Sequence, residues 1–123
     1  MHASQPQPRM SSQELSALVL DALDELKATA VKTMDVGHLT TVTEVMIIAT
    51  GRSARHVRAV AETVIERCKH AGEPPLGREG EGSGEWVLLD LGDVVVHVMQ
   101  PEVRKFYDLE KLWDIPAQEK ARV

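Results

Sequence analysis

One short segment, "VMIIATG" at residues 45–51, limits the possible folds more than any other part of the chain. Its apolar residues do not alternate with polar ones, which is typical of a strand covered on both faces of a sheet. Gly51 then turns the chain, and Ser53 can cap a helix that runs to Gly72. The apolar positions of that helix are Val57, Val60, Ala61, Val64, Ile65 and Cys68. A strand, a turn and a helix in this order predict the first half of a βαβ unit around a central strand.

The segments before this unit also show a helix and a strand. Ser11 and Glu14 in "SSQE" can form a capping box at the start of a helix. The apolar stripe of this helix comprises Leu15, Leu18, Val19, Ala22, Leu23 and Leu26. The segment "AVKTMDV", residues 30–36, alternates in the manner of a strand with one covered face, and Gly37 ends it.

The second half of the chain predicts a hairpin and a closing helix. "PLGRE", residues 75–79, can form a short edge strand within a glycine-rich connection. "WVLLDL" and "VVVHVM" flank Gly92 and Asp93, which is the pattern of two strands joined by a turn. Pro101 suits the first turn of a helix that continues to residue 113. The complete pattern predicts an α/β fold in which helices pack on a mixed β-sheet.

Length and composition predict one soluble domain. A chain of 123 residues with 43% hydrophobic residues can form one core. We expect the domain at residues 11–114, between a disordered tail at residues 1–10 and a C-terminal tail at residues 115–123. No segment approaches the roughly 18 apolar residues of a membrane span, and the first residues lack the pattern of a signal peptide. We therefore expect a cytoplasmic protein with no membrane partner.

Acidic residues are concentrated in the second half of the chain. Residues 1–78 contain nine acids and nine Lys or Arg, whereas residues 79–114 contain nine acids and three bases. The net charge of -5 argues against wholesale binding to nucleic acid, because that binding depends on basic residues displacing counterions. The local excess of acids suits a basic partner, and solubility alone explains it equally well.

The residues that could carry out chemistry are few and poorly spaced. "ATGRSARH", residues 49–56, places a glycine before a helix N-terminus, where an anion could bind, but it lacks the spacing of a P-loop or a dinucleotide motif. Nothing in the spacing of Asp90, Asp93 and His97 forces them onto one side of the hairpin, which argues against a metal or catalytic site. The single cysteine, Cys68, lies in a helical stripe and is expected to be structural. The sequence therefore indicates a protein that is not an enzyme and needs no cofactor.

The aromatic residues suggest a contact surface. Trp86 begins a strand directly after the glycine-rich loop, and Trp and Tyr often dominate the binding energy of interfaces. Trp86 is therefore a candidate contact for a partner, with a place in the core as the alternative. For Phe106 we expect a core position, because large aromatic side chains are ordinarily buried.

Two long segments, "VMIIATGRSARHVRAVAE" and "PLGREGEGSGEWVLLDLGDVVVHVMQPEVRKFYDLEKLW", closely resemble the bacterial ribosomal silencing factors, the Iojap-like family. The resemblance extends from the first helix to Trp113, and its most specific motifs are "ATGxSxRH", "DLGDVVVHV" and "FYDLExLW". It implies a nucleotidyltransferase-like fold without the catalytic carboxylates of those enzymes. It also implies a translation factor that binds the large ribosomal subunit through its protein fourteen, blocks joining of the small subunit and represses translation when nutrients are scarce.

The resemblance gives the acidic second half a basic ribosomal protein as its candidate partner. The residues expected at this contact are Trp86, Leu88, Asp90, Met99, Tyr107 and Glu110. The same surface could hold a second copy of the free chain, so a homodimer stays open. We expect no direct recognition of nucleic-acid bases.

Two other functions also stay open. One is a nucleotidyl-transferring enzyme that binds phosphates at the turn after Thr50 and magnesium at Asp90 and Asp93. The other is an RNA-binding adaptor that uses Arg52, Arg55 and Arg58.

Overall fold

The computed structural model describes residues 10–113, which form a five-stranded sheet with helices packed on it. The helices are α1 (Ser12–Glu25), α2 (Ala54–His70), α3 (Pro101–Tyr107) and α4 (Leu109–Trp113). The strands are β1 (Thr29–Asp35), β2 (Val45–Thr50), β3 (Gly77–Glu79), β4 (Trp86–Asp90) and β5 (Val94–Met99). The predicted mixed α/β fold is confirmed.

The ends of the chain are described only in part. The predicted tails lie outside the described residues, with the exception of Met10. This residue packs against the core, and its amide donates to Glu73 Oε2 at 3.0 Å. Within residues 10–113, no helix is both long enough and apolar enough to cross a bilayer.

The sheet has the strand order β1-β2-β5-β4-β3. β2 and β5 are parallel, and the other neighbouring pairs are antiparallel. The parallel pair follows from the connection through α2, since parallel strands need a long crossover. The segment predicted as a covered strand, β2, lies inside the sheet next to the middle strand β5. The β4–β5 hairpin and the short edge strand β3 are also as predicted.

Helices α1 and α2 cover one face of the sheet, which we call the helical face. Ser11 caps α1 with the predicted capping box, and Ser53 caps α2. The strand residues buried beneath these helices are Ile47, Ala49, Val87, Leu89, Val94, Val96 and Val98. Cys68 is fully buried among them, and burial raises the pKa of its thiol to about 11. The thiol is therefore held in its unreactive protonated form, as a structural residue would be.

Helices α3 and α4 lie against the opposite face, which we call the second face. Its buried core consists of Met34, Val36, Met46, Ile48 and Met99. Val103, Leu109 and Trp113 of the two helices pack against this cluster and are themselves half-buried. The second face therefore has a thinner cover than the helical face.

The predicted single closing helix is wrong, because Asp108 divides it. Asp108 adopts a left-handed conformation with φ 50°, and its amide donates to Arg104 O as α3 ends. The break lets Leu109 pack on the sheet. Phe106, expected in the core, is 80% exposed. The expectation for Phe106 is wrong because Val103 and Leu109 occupy the cover over the core cluster and leave the Phe106 side chain outside it.

Candidate docking surface

Three of the six residues expected at a contact lie on β4. They share one face of the sheet. Trp86, Leu88 and Asp90 alternate with the buried residues Val87 and Leu89, which face the helices. Because side chains alternate across a strand, the first three lie on the second face.

The part of the second face over β4 is partly open. Glu79 on β3 pairs with Leu88, and Tyr107 at the end of α3 contacts Trp86. We call the surface formed by Glu79, Trp86, Leu88, Asp90 and Tyr107 the open strip. A depression of about 260 Å³ lies within it, lined by Glu79, Gly80, Trp86 and Leu88.

The Trp86 side chain is held in one orientation. Its indole Nε1–H donates to His97 Nδ1 at 2.9 Å. The Tyr107 ring lies beside it, with ring centroids 4.9 Å apart. Trp86 is half-buried, so it is neither fully in the core nor freely exposed. A large aromatic group with one fixed orientation is a suitable anchor for a partner.

His97 serves as a buried hydrogen-bond acceptor. Its side chain is on β5 and only 6% exposed. Burial lowers the pKa of the imidazole from 6.5 to about 4, so the ring is neutral at pH 7. Since Nδ1 accepts the indole proton, the ring proton is assigned to Nε2. These contacts give His97 a role in orienting Trp86.

Met99 lies beneath the strip and not on its surface. It pairs with Trp86 across the β4–β5 ladder and is 0% exposed. Its contribution to a contact is therefore to support the Trp86 side of the sheet from within.

Glu110 is engaged inside the protein. Arg104 donates to both carboxylate oxygens, at 3.1 and 2.8 Å, and this pairing lowers the pKa of Glu110. The same guanidinium donates to Thr50 Oγ1 at 2.9 Å and to the Ala30 carbonyl. Glu110 therefore holds the α3–α4 junction over β1 and β2, and β5 separates these strands from β4 of the open strip.

The structure adds Phe106, expected in the core, as a second exposed aromatic residue beside Tyr107. Phe106 meets Tyr107 edge to face, with ring centroids 5.0 Å apart. Tyr107 is itself 54% exposed. The sequence signal that could have identified this pair is Asp108, a residue type that tolerates the left-handed conformation that ends α3.

The turn after Thr50 has a structural explanation. The amide of Gly51 donates to Met99 O at 2.9 Å, and that of Arg52 donates to His56 Nδ1 at 3.1 Å. A Cβ at Gly51 would lie 2.7 Å from Val57 Cγ2. Glycine is therefore required here for the close approach of strand and helix, and these two amides are not available to a phosphate.

Asp90 and Asp93 both have structural roles in the β4–β5 turn. Asp90 Oδ1 accepts from the Gly92 amide at 2.9 Å, while the backbone carbonyl of Asp93 accepts from the amides of Glu44 and Val45. In the described part of the chain, no three His, Cys, Asp or Glu side chains come close enough to hold a metal ion.

Comparisons with known proteins agree on one family. A family model described as "Ribosomal silencing factor during starvation" matches residues 9–123. The ribosomal silencing factor of Chromobacterium violaceum is 49% identical over 104 residues, which cover 85% of each chain. A crystal structure from Chromobacterium violaceum has a TM-score of 0.84 and 48% identity, covering 87% of this chain and 89% of that one. A second, from Bacillus halodurans, has a TM-score of 0.76 and 37% identity, covering 82% and 94%.

Proposed function

Because this chain belongs to the ribosomal silencing factor family, we propose that it binds the large ribosomal subunit through ribosomal protein fourteen. The bound chain then blocks joining of the small subunit and represses translation when nutrients are scarce. The observation that carries this proposal is the open strip, where aromatic, aliphatic and acidic side chains share one surface.

Trp86 and Tyr107 are the proposed anchors of the contact. The bond to His97 and the ring contact with Tyr107 already fix the indole. Little side-chain freedom is therefore lost on binding, and less of the interaction energy is spent on ordering. Leu88 and the adjacent depression supply the apolar surface against which a partner side chain packs.

Acidic groups beside the anchors favour a basic partner. Glu79 and Glu85 are exposed, and Asp90 is half-buried at the end of the same strand. A basic protein surface meeting these carboxylates is steered towards the strip, and like-charged partners are disfavoured. Ribosomal protein fourteen is the partner proposed from the family resemblance.

The proposed mechanism is steric and has no covalent step. The chain occupies a surface of the large subunit that the small subunit also needs. The fraction of subunits blocked then depends on its concentration relative to its dissociation constant. Within the chain, Met99 and His97 support the strip from below, and Glu110 acts through Arg104 by holding α3 in place.

Sedimentation of the protein with separated ribosomal subunits tests the proposal. We expect the parent to pellet with the large subunit and not with the small one. Trp86→Ala should weaken that binding by about 2 kcal/mol or more, which is about 30-fold in Kd. Tyr107→Ala is the second variant, since its exposed side chain can be removed with little effect on the fold.

Val42→Ser is the matched control. Val42 is 81% exposed. It precedes β2, so it lies near the end of the sheet that is opposite to the end with Trp86. We expect it to bind and melt like the parent. Equal pelleting of the parent with both subunits, or parental binding by both Trp86→Ala and Tyr107→Ala, would contradict the proposal.

Light scattering tests the blocking step separately. Mixing the two subunits with increasing amounts of protein should reduce formation of the joined ribosome, and Tyr107→Ala should require a higher concentration for the same effect. Unchanged joining at saturating protein would contradict the steric mechanism even if binding is observed.

A further inference from the structure

The arginines of the described residues fall into two groups. Three of them pair with carboxylates across elements: Arg67 with Asp21 at 2.9 Å, Arg78 with Glu62 at 2.9 Å, and Arg104 with Glu110 at 2.8 Å. The other three are Arg52, Arg55 and Arg58. Within residues 10–113, none of these three has a carboxylate at ion-pair distance.

The unpaired group, which we call the arginine patch, is concentrated at the start of α2. All three residues are exposed, and Arg58 is the one whose side chain donates a hydrogen bond within residues 10–113, to Gly82 O at 3.4 Å. The chain has 19 acids to 14 Lys and Arg, so carboxylates are abundant elsewhere. Three guanidinium groups without carboxylate partners give a local positive field on an acidic protein.

The arginine patch is located at the end of the sheet where β2 and β5 finish and where β4 begins with Trp86. Thr50, at the end of β2, pairs with Met99, and Met99 pairs with Trp86. The Gly51 amide donates to Met99 O at 2.9 Å, and Arg52 follows directly after it, so the patch begins at this end of the sheet. The patch lies on the helical face and the open strip on the second face, and both adjoin this end of the sheet, where Arg58 contacts Gly82 of the loop that leads into Trp86. A partner as large as a ribosomal subunit that covers this end of the sheet can contact both.

We propose that the arginine patch binds the phosphate backbone of ribosomal RNA beside the protein contact on the large subunit. This inference rests on the proposed function and adds a second partner to it. Guanidinium groups match phosphate geometry, and unpaired ones need not first give up an internal carboxylate. Phosphate contacts carry no sequence information, so the patch adds affinity and orientation without recognising bases.

The dependence of large-subunit binding on salt tests this inference. Each phosphate contact adds about 0.7 to 0.9 to the slope of log affinity against log salt concentration, so three contacts add about 2 to 3. The triple variant Arg52→Gln, Arg55→Gln, Arg58→Gln should lose this part of the slope. Between about 50 and about 200 mM salt the parent should then lose about 20- to 40-fold more affinity than the variant.

A second triple variant, Arg67→Gln, Lys69→Gln, Arg78→Gln, changes the net charge equally and serves as the control. It should keep the parental slope, and both variants should bind isolated ribosomal protein fourteen as the parent does. A parental slope in the patch variant, or an equal loss of slope in the control, would overturn the inference and leave the proposed function intact. Failure of the parent to bind the large subunit would overturn the proposed function itself.

Discussion

Replacing His97 with Asn should remove much of the acid sensitivity of the fold. The imidazole has a folded-state pKa of about 4, below its usual 6.5, because burial disfavours the charged ring. As the pH falls, the unfolded chain takes up this proton first. The contribution of the buried neutral imidazole to the unfolding free energy is therefore complete above about pH 6.5, and it is lost as the pH falls towards 4. Over the whole range the shift corresponds to about 3 kcal/mol, and between pH 7 and pH 5 to about 2 kcal/mol.

Urea denaturation at pH 7, 6 and 5 measures this effect. Asn places its side-chain oxygen near the position of Nδ1, so the Trp86 indole keeps an acceptor while the titrating group is removed. The quantity compared is the change in unfolding free energy with pH, because the smaller side chain also lowers stability at every pH. The Asn variant should lose about 2 kcal/mol less than the parent between pH 7 and pH 5.

His70→Asn is the control, because His70 is exposed at the end of α2. It should show the same acid-induced loss of stability as the parent. Equal pH dependence in the parent and in His97→Asn would refute the conclusion that the neutral, buried imidazole is the acceptor that orients Trp86.

Three further predictions follow from the contacts around the core and the α3–α4 junction. Ser11→Ala removes the capping box of α1 and should lower the unfolding free energy by about 1 kcal/mol in urea denaturation. Gly51→Ala should cost about 1 to 3 kcal/mol, because its Cβ would crowd Val57. Gly82→Ala is the comparison, because a Cβ there meets open space. Glu110→Gln should accelerate hydrogen exchange in α4 while α2 keeps its protection, since Arg104 loses a charged partner. Exchange that is unchanged in α4 would contradict the role given to Glu110.

Most of the fold could be predicted because local signals and tertiary structure agree. The capping residues, the two helical stripes, the covered strand and the hairpin turn each depend on residues close together in sequence. The closing helix was mispredicted because the break at Asp108 is a single left-handed residue within a pattern that suits a helix throughout. Phe106 is exposed although large aromatic side chains are ordinarily buried, because Val103 and Leu109 supply the contacts with the core cluster.

The candidate docking surface could be predicted only in part. Alternation along β4 groups Trp86, Leu88 and Asp90, and this follows from sequence once the strand is identified. The pairing of Arg104 with Glu110 and the bond between Trp86 and His97 could not be predicted in this way. The first depends on the left-handed break at Asp108, across which Glu110 of α4 meets Arg104 of α3. The second depends on the register of the β4–β5 hairpin and on the side-chain orientations of Trp86 and His97.

The two-residue period of β4 also separates two kinds of mutational change. Substitutions at positions 86, 88 and 90 alter what the protein displays, whereas positions 87 and 89 fill the core beneath α1 and α2. The residues that contact a partner can therefore change during evolution while the core residues stay the same. Insertion or deletion of one residue within the strand is different, because it exchanges the two sets and exposes Val87 and Leu89. Length changes should consequently accumulate in the preceding glycine-rich loop and be excluded from the strand itself.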